Sequence, residues 1–150
     1  MIGFAADEIA LHEPTRSARL KWAVVVDAAL PPGRATNAAI CVAAATSAAV
    51  DGLLGPDAED ADGTPHPGLP WAGCTVLAGT AEQLADLRRH AVERDDVFVA
   101  DMPAAAQATR VYADYLQQVR TEGGGDCLAV SVVGPRNRVD RLTKGLSLLP

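Results

Sequence analysis

The chain has 150 residues, 49% apolar and 21% charged, which suits one globular domain with a core of ordinary size. Its net charge is −6 with only two lysines, Lys21 and Lys144, so its overall field opposes the phosphate backbone of nucleic acids. Aromatic residues reach only 4%, and the core must therefore be built from Ala, Val and Leu.

Residues 1–20 mix charges with isolated apolar side chains and are expected to form an N-terminal extension, with the domain proper spanning 21–150. Trp22-Ala-Val-Val-Val-Asp27 is a β-branched run ended by a turn signal, the pattern of a strand buried on both faces. Leu30-Pro-Pro-Gly33 breaks the chain, and alanine propensity then predicts a helix over 34–50. Asp51-Gly52 and Gly55-Pro56 stop it, and the acidic, Gly- and Pro-rich stretch 55–70 is expected to be a loop with a tight turn at Asp62-Gly63. Residues 74–78 form a second predicted strand. Thr80 and Gln83 make a capping-box pattern, followed by Leu84, Leu87 and Ala91 at helical spacing. A third strand is predicted over 97–100. Asp101 and Pro103 are expected to open a helix whose Tyr112, Tyr115 and Val119 share one face, ended by the connector Gly123-Gly-Gly125. A fourth strand over 128–133, the turn Gly134-Pro135 and a helix over 137–144 complete the pattern. Strands alternating with helices predict an α/β class, with a mixed four-stranded sheet covered by helices on both faces.

Several of these segments, in order, resemble a bacterial family known as domain of unknown function 2000. They are the 22–27 strand with Leu30-Pro-Pro-Gly33 and Asn37-Ala-Ala, then Asp60-Ala-Asp-Gly63, then Val133-Gly-Pro-Arg136 and Lys144-Gly-Leu-Ser-Leu148. That family is similar in fold to the type-two peptidyl-tRNA hydrolases. Ala38-Ala39-Ile40-Cys41 resembles their Ala-Ala-x-Cys helix, and Gly134-Pro135 with Thr143 and the Leu-rich end resembles their last strand and helix. The resemblance implies a hydrolase or acyl-transfer enzyme acting on a small ester, amide, or aminoacyl or peptidyl conjugate. The acid after their third strand is retained as Asp101. Arg34 and Thr36 stand where those enzymes carry lysines, and Ile40 and Ala43 replace their Gln and His.

In open α/β sheets ligands gather at the carboxyl ends of strands, beside helix N-termini. Asp27, Arg34, Thr36, Asn37 and Asp101 all fall at such ends. The expected site unites them at one mouth. Asp101 and Asp27 would be catalytic there, Asp101 orienting water, while Arg34, Thr36 and Asn37 would hold an anionic group. The alternative is that Asp101 and Thr36 cap helices and Arg34 is solvated, in a non-catalytic domain that binds a small ligand or a protein.

No metal or cofactor is expected. His66, in Thr64-Pro-His-Pro-Gly68, has no second ligand at metal spacing and is expected to be exposed. His12 and His90 are expected at the surface. Cys41, among alanines, is expected to pack in the core, and Ser131 to fill space within a strand. Arg136, Arg138, Arg141 and Lys144 form a local basic group. Three widely spaced cysteines without a C-x-x-C pair fit reduced thiols in the cytoplasm. The start of the chain lacks a basic n-region, and the apolar stretch 38–50 is too short for a bilayer, so neither a signal peptide nor a membrane span is expected. Alanine-rich helices leave modest apolar faces, from which a homodimer is expected.

Overall fold

A computed structural model describes all residues, 1–150. One five-stranded mixed sheet organises the molecule. Its strands, in chain order, are β1 (Leu20–Asp27), β4 (Thr75–Gly79), β5 (Phe98–Pro103), β6 (Cys127–Pro135) and β7 (Ser147–Leu148), arranged β5-β6-β1-β4-β7. Two further strands, β2 (Ala58–Glu59) and β3 (Pro65–His66), make a small separate hairpin. β1 pairs in parallel with β4, from Ala23–Thr75 to Asp27–Gly79, and antiparallel with β6. β5 is antiparallel to β6 with a register shift at Met102/Pro103, and β7 is antiparallel to β4.

The two central strands are the most apolar segments, as burial on both faces demands: all but Lys21 of β1 and all but Pro135 of β6 are buried. On one face lies α1 (Pro32–Ala49), which buries Ala35, Ala38, Val42 and Thr46 against Trp22, Val24 and Val26. On the other lie α2 (Ala81–Val92), through Leu84, Leu87 and Ala91, and α5 (Arg136–Leu142), through Val139. Gly79 ends β4 where a Cβ would sit 2.8 Å from Leu84 Cδ1, so the absence of a side chain lets α2 close onto the sheet. The capping box at Thr80 forms as predicted, with Gln83 N–H donating to Thr80 Oγ1 and Thr80 N–H to Gln83 Oε1.

Three expectations change. The sheet has five strands because the Leu-rich tail folds back on β4, a two-residue pairing too short to show a period. The loop 55–70 contains the β2–β3 hairpin, whose turn is held by Asp60 accepting the Asp62 and Thr64 N–H groups, each at 2.9 Å. Asp101 does not open a helix. β5 runs on to Pro103, a five-residue α3 (Ala104–Ala108) follows, and α4 (Tyr112–Glu122) starts afresh after a break.

The N-terminal extension is built into the α1-side core. Phe4 is buried, with its ring centroid 4.8 Å from that of Trp71, and Gly3 bridges Asp51. Arg19 binds Glu8 and donates to the Gly3 carbonyl. No helix is long and apolar enough to cross a membrane.

Candidate functional site

A cavity of about 490 Å³ lies at the outer edge of β5. Its floor is the outward side of α1 at Cys41, Ala44 and Ala45, and its wall is β5 from Asp101 to Pro103. Its roof is the 109–111 break with Tyr112 and Tyr115. Local sequence explains the space. β5 is an edge strand, so nothing extends the sheet beyond it. The alanines of α1 are too small to fill the gap, and α4 buries no residue at all, so it spans the opening instead of sinking onto the sheet. Gly123, at φ 82°, ends α4 and turns the chain back toward β6.

Asp101 is the one carboxylate on the cavity wall. Its Oδ1 lies 2.9 Å from Arg88 Nε, and its Oδ2 accepts from Cys127 Sγ at 3.7 Å. The hydrogen bond to Asp101 raises the Arg88 pKa further above its ordinary range. Burial and then the Asp101 charge push the Cys127 thiol up to about 11. Burial, followed by the neighbouring Tyr112 and Asp101, raises Tyr115. Tyr112 and Tyr115 meet edge to face, with ring centroids 5.4 Å apart. Arg110 stands at the mouth, exposed and outside every ion pair.

The other expected site residues fall elsewhere. Arg34 Nε donates to Gln107 Oε1 at 2.8 Å, and Gln107 Nε2 donates to the Arg34 carbonyl and to Asn37 Oδ1, both at 3.0 Å. With Gly33 these residues surround a separate, shallow depression. Thr36 is exposed and caps nothing, because Pro31 occupies the N-cap of α1. Asp27 is buried and spends its Oδ1 on the Ala29 N–H at 2.9 Å, closing a local turn. The single mouth uniting Asp27, Arg34, Thr36, Asn37 and Asp101 is therefore not formed.

The reason is strand alternation. Phe98, Ala100 and Met102 of β5 face the α1-side core, whereas Val99 faces the other. Asp101 shares the phase of Val99 and turns toward Arg88 of α2, while Arg34 belongs to α1. Asp101 reaches the cavity only because β5 is an edge.

Cys41, expected in the core, is exposed and lines the cavity. α1 is apolar nearly all round, so composition does not reveal that its buried stripe runs through positions 35, 38, 42 and 46 and leaves 41 outside. Ser131 is buried and hydrogen-bonded, and His66 is exposed with Nε2 3.4 Å from Asp60 Oδ2. Arg88, Arg110 and the two tyrosines are the site residues that sequence inspection missed. Only the helical spacing of Tyr112 and Tyr115 hinted at them. The basic group divides: Arg138 pairs with Asp96 at 3.3 Å, while Arg136 turns toward the 15–18 turn. No three His, Cys, Asp or Glu side chains gather in an arrangement that could hold a metal ion.

A solved structure described as a protein of unknown function from Agrobacterium tumefaciens strain C58 is similar to this chain, at 21% identity and a TM-score of 0.74. The likeness covers 87% of this chain and 97% of the other, and at that identity it shows the fold alone. No curated protein matches the chain. Residues 20–150 match the family model for proteins of unknown function called DUF2000, and with the sheet, both helical layers and the cavity inside that span, the chain belongs to the DUF2000 family.

Proposed function

We propose that this domain binds a small, largely apolar ligand bearing one anionic group, in the cavity between α1, β5 and α4. The observation that carries this reading is the lining: mostly apolar side chains, one carboxylate already neutralised by Arg88, and one unpaired cation, Arg110, at the mouth. A neutral aromatic or branched acyl group fits beside Tyr112 and Tyr115, and a carboxylate or comparable acid faces Arg110. Saturation-transfer NMR on the full chain, with a panel of aryl and branched-acyl carboxylates and their neutral amides, tests it. Carboxylates should bind about tenfold more tightly than the amides, the value of one charge-assisted hydrogen bond, and Arg110→Gln should erase the difference. Absence of binding across the panel, or undiminished binding by Tyr115→Ala, contradicts the proposal.

A hydrolytic or acyl-transfer reading applies to the same cavity, supported by Asp101 on its wall. In that reading Asp101 orients a water toward a bound ester or amide. Asp101→Asn should then abolish turnover on any ester the cavity accepts, and full retained activity ends it. The kinship in fold with the type-two peptidyl-tRNA hydrolases is supported by the ordered motifs from Trp22 to Leu148, and superposition on such an enzyme checks it. Three free, separated thiols support residence in the reducing cytoplasm of a bacterial cell. The exposed Ile40 of α1 and Tyr112 and Leu116 of α4 support pairing of two copies, and light scattering that gives a monomer mass excludes it.

A further inference from the structure

At the opposite end of the sheet, where β1 and β4 begin and β6 ends, a second cavity of about 300 Å³ opens beneath the 15–18 turn. Its charged lining is Arg16, Lys21 and Arg136, with no carboxylate, in a chain that carries six more acids than bases. We propose that this cavity is a binding site for a compact oxyanion, the carboxylate or phosphate group of a small metabolite.

Three observations carry the inference. Arg136 is locked in place: its backbone N–H donates to the Arg19 carbonyl at 3.2 Å, and its Nη2 donates to the Thr15 and Ala18 carbonyls at 3.2 and 3.4 Å. No acid neutralises it, and its buried Nε has no acceptor. Only backbone carbonyl oxygens meet its guanidinium charge, and an oxyanion in the cavity supplies the countercharge. Arg16 likewise has no ion-pair partner, while Lys21 is held at 2.6 Å by Asp140 and so keeps a fixed position on the wall. Thr15 and Thr75 also line the cavity. Two guanidinium groups without a carboxylate partner, beside the ammonium held by Asp140, leave the lining net positive, the chemistry that selects a planar carboxylate or a phosphate over a neutral ligand. A wholly structural Arg136 would account for its Nη2 bonds. It does not account for the absence of a countercharge.

Amide NMR of the full chain, titrated separately with inorganic phosphate and with malonate, tests the proposal. At least one anion should give saturable shifts at residues 15–16, 21–22 and 73–75, with an affinity within about 10 mM. The stronger of the two identifies the source chemistry. Arg136→Gln should abolish the shifts. Because that change also releases the 15–18 turn, Arg16→Gln, at an exposed position, provides the second arm. It should weaken binding about tenfold with the melting temperature unchanged. Shifts that fail to saturate for both anions, or binding by Arg16→Gln equal to that of the unaltered chain, overturn the proposal.

Discussion

At the scale of single residues, the α1-side core contains a polar chain whose direction follows from its chemistry. The Trp22 indole can only donate, and it donates to Ser131 Oγ at 2.8 Å. Thr46 Oγ1 donates to the Val42 carbonyl at 2.7 Å, one turn back in α1. Ser131 must therefore donate to Thr46, 2.7 Å away. Every member is satisfied, and the chain ties β1, β6 and α1 together at one point. Thr46→Val leaves the Ser131 hydroxyl without its acceptor and should lower stability by about 1–3 kcal/mol in urea denaturation. An unchanged midpoint would show that the network adds nothing. These partners stand far apart in sequence, so their pairing could not be read from it, although the inward phase of Ser131 could.

The thiols make a second residue-scale prediction. Cys127 is raised to about 11 by burial and Asp101; Cys74 is an exposed residue, but its surroundings withhold water from the thiol and raise it to about 11, so both stay protonated at neutral pH. Cys41 is exposed on α1. A disulfide reagent near pH 8 should find one fast thiol, removed by Cys41→Ser. Cys127 should gain reactivity only as pH approaches 11. Fast labelling that persists in Cys41→Ser contradicts this assignment.

At the scale of elements, α4 and the N-terminal segment are held differently from the rest. α4 buries no side chain, whereas α2 buries Leu84 completely. Hydrogen exchange should therefore open α4 well before β1 or β6, and equal protection would show that the roof of the cavity is fixed. Leu84→Ala should cost about 2–5 kcal/mol, the cost of emptying a close-packed site. The N-terminal segment is pinned by Glu8. A hydrogen bond from Arg19, then one from the Ala5 N–H, lowers the Glu8 carboxyl from 4.5 to about 2. An acid with a depressed pKa favours the docked state above its free value, and that contribution fades as pH falls from about 4.5 toward 2. Amides of residues 1–9 should exchange faster across that window, and Glu8→Gln should remove the pH dependence.

The legibility of the elements followed their period. β1, β4 and β6 were visible as β-branched runs and α2 through its capping box. The break at 109–111 was hidden because helix formers flank it on both sides, in Ala104–Ala108 and Tyr112–Glu122, while only Thr109 and Val111, both β-branched, take up extended backbone between them. β7 and the β2–β3 hairpin are two-residue pairings that leave no periodic trace.

At the scale of the whole molecule, the α/β class and the two helical layers were legible, but strand order was not. β6 inserts between β1 and β5, a long-range choice that side-chain pattern does not encode. That choice placed Asp101 on an edge strand, turned toward α2, and left Arg34 to Gln107 on the other face. The expected mouth dissolved into a turn, a shallow polar cluster and the wall of an apolar cavity.

The claim that this cavity is the ligand site is tested most directly by filling it. Ala45→Trp places an indole in the space beside Tyr112 and Tyr115 while changing no charge. Calorimetric titration of that variant with the strongest-binding carboxylate should detect no heat of binding, with the melting temperature and the phosphate or malonate shifts near Arg136 unchanged. Undiminished binding by the filled variant would place the ligand elsewhere.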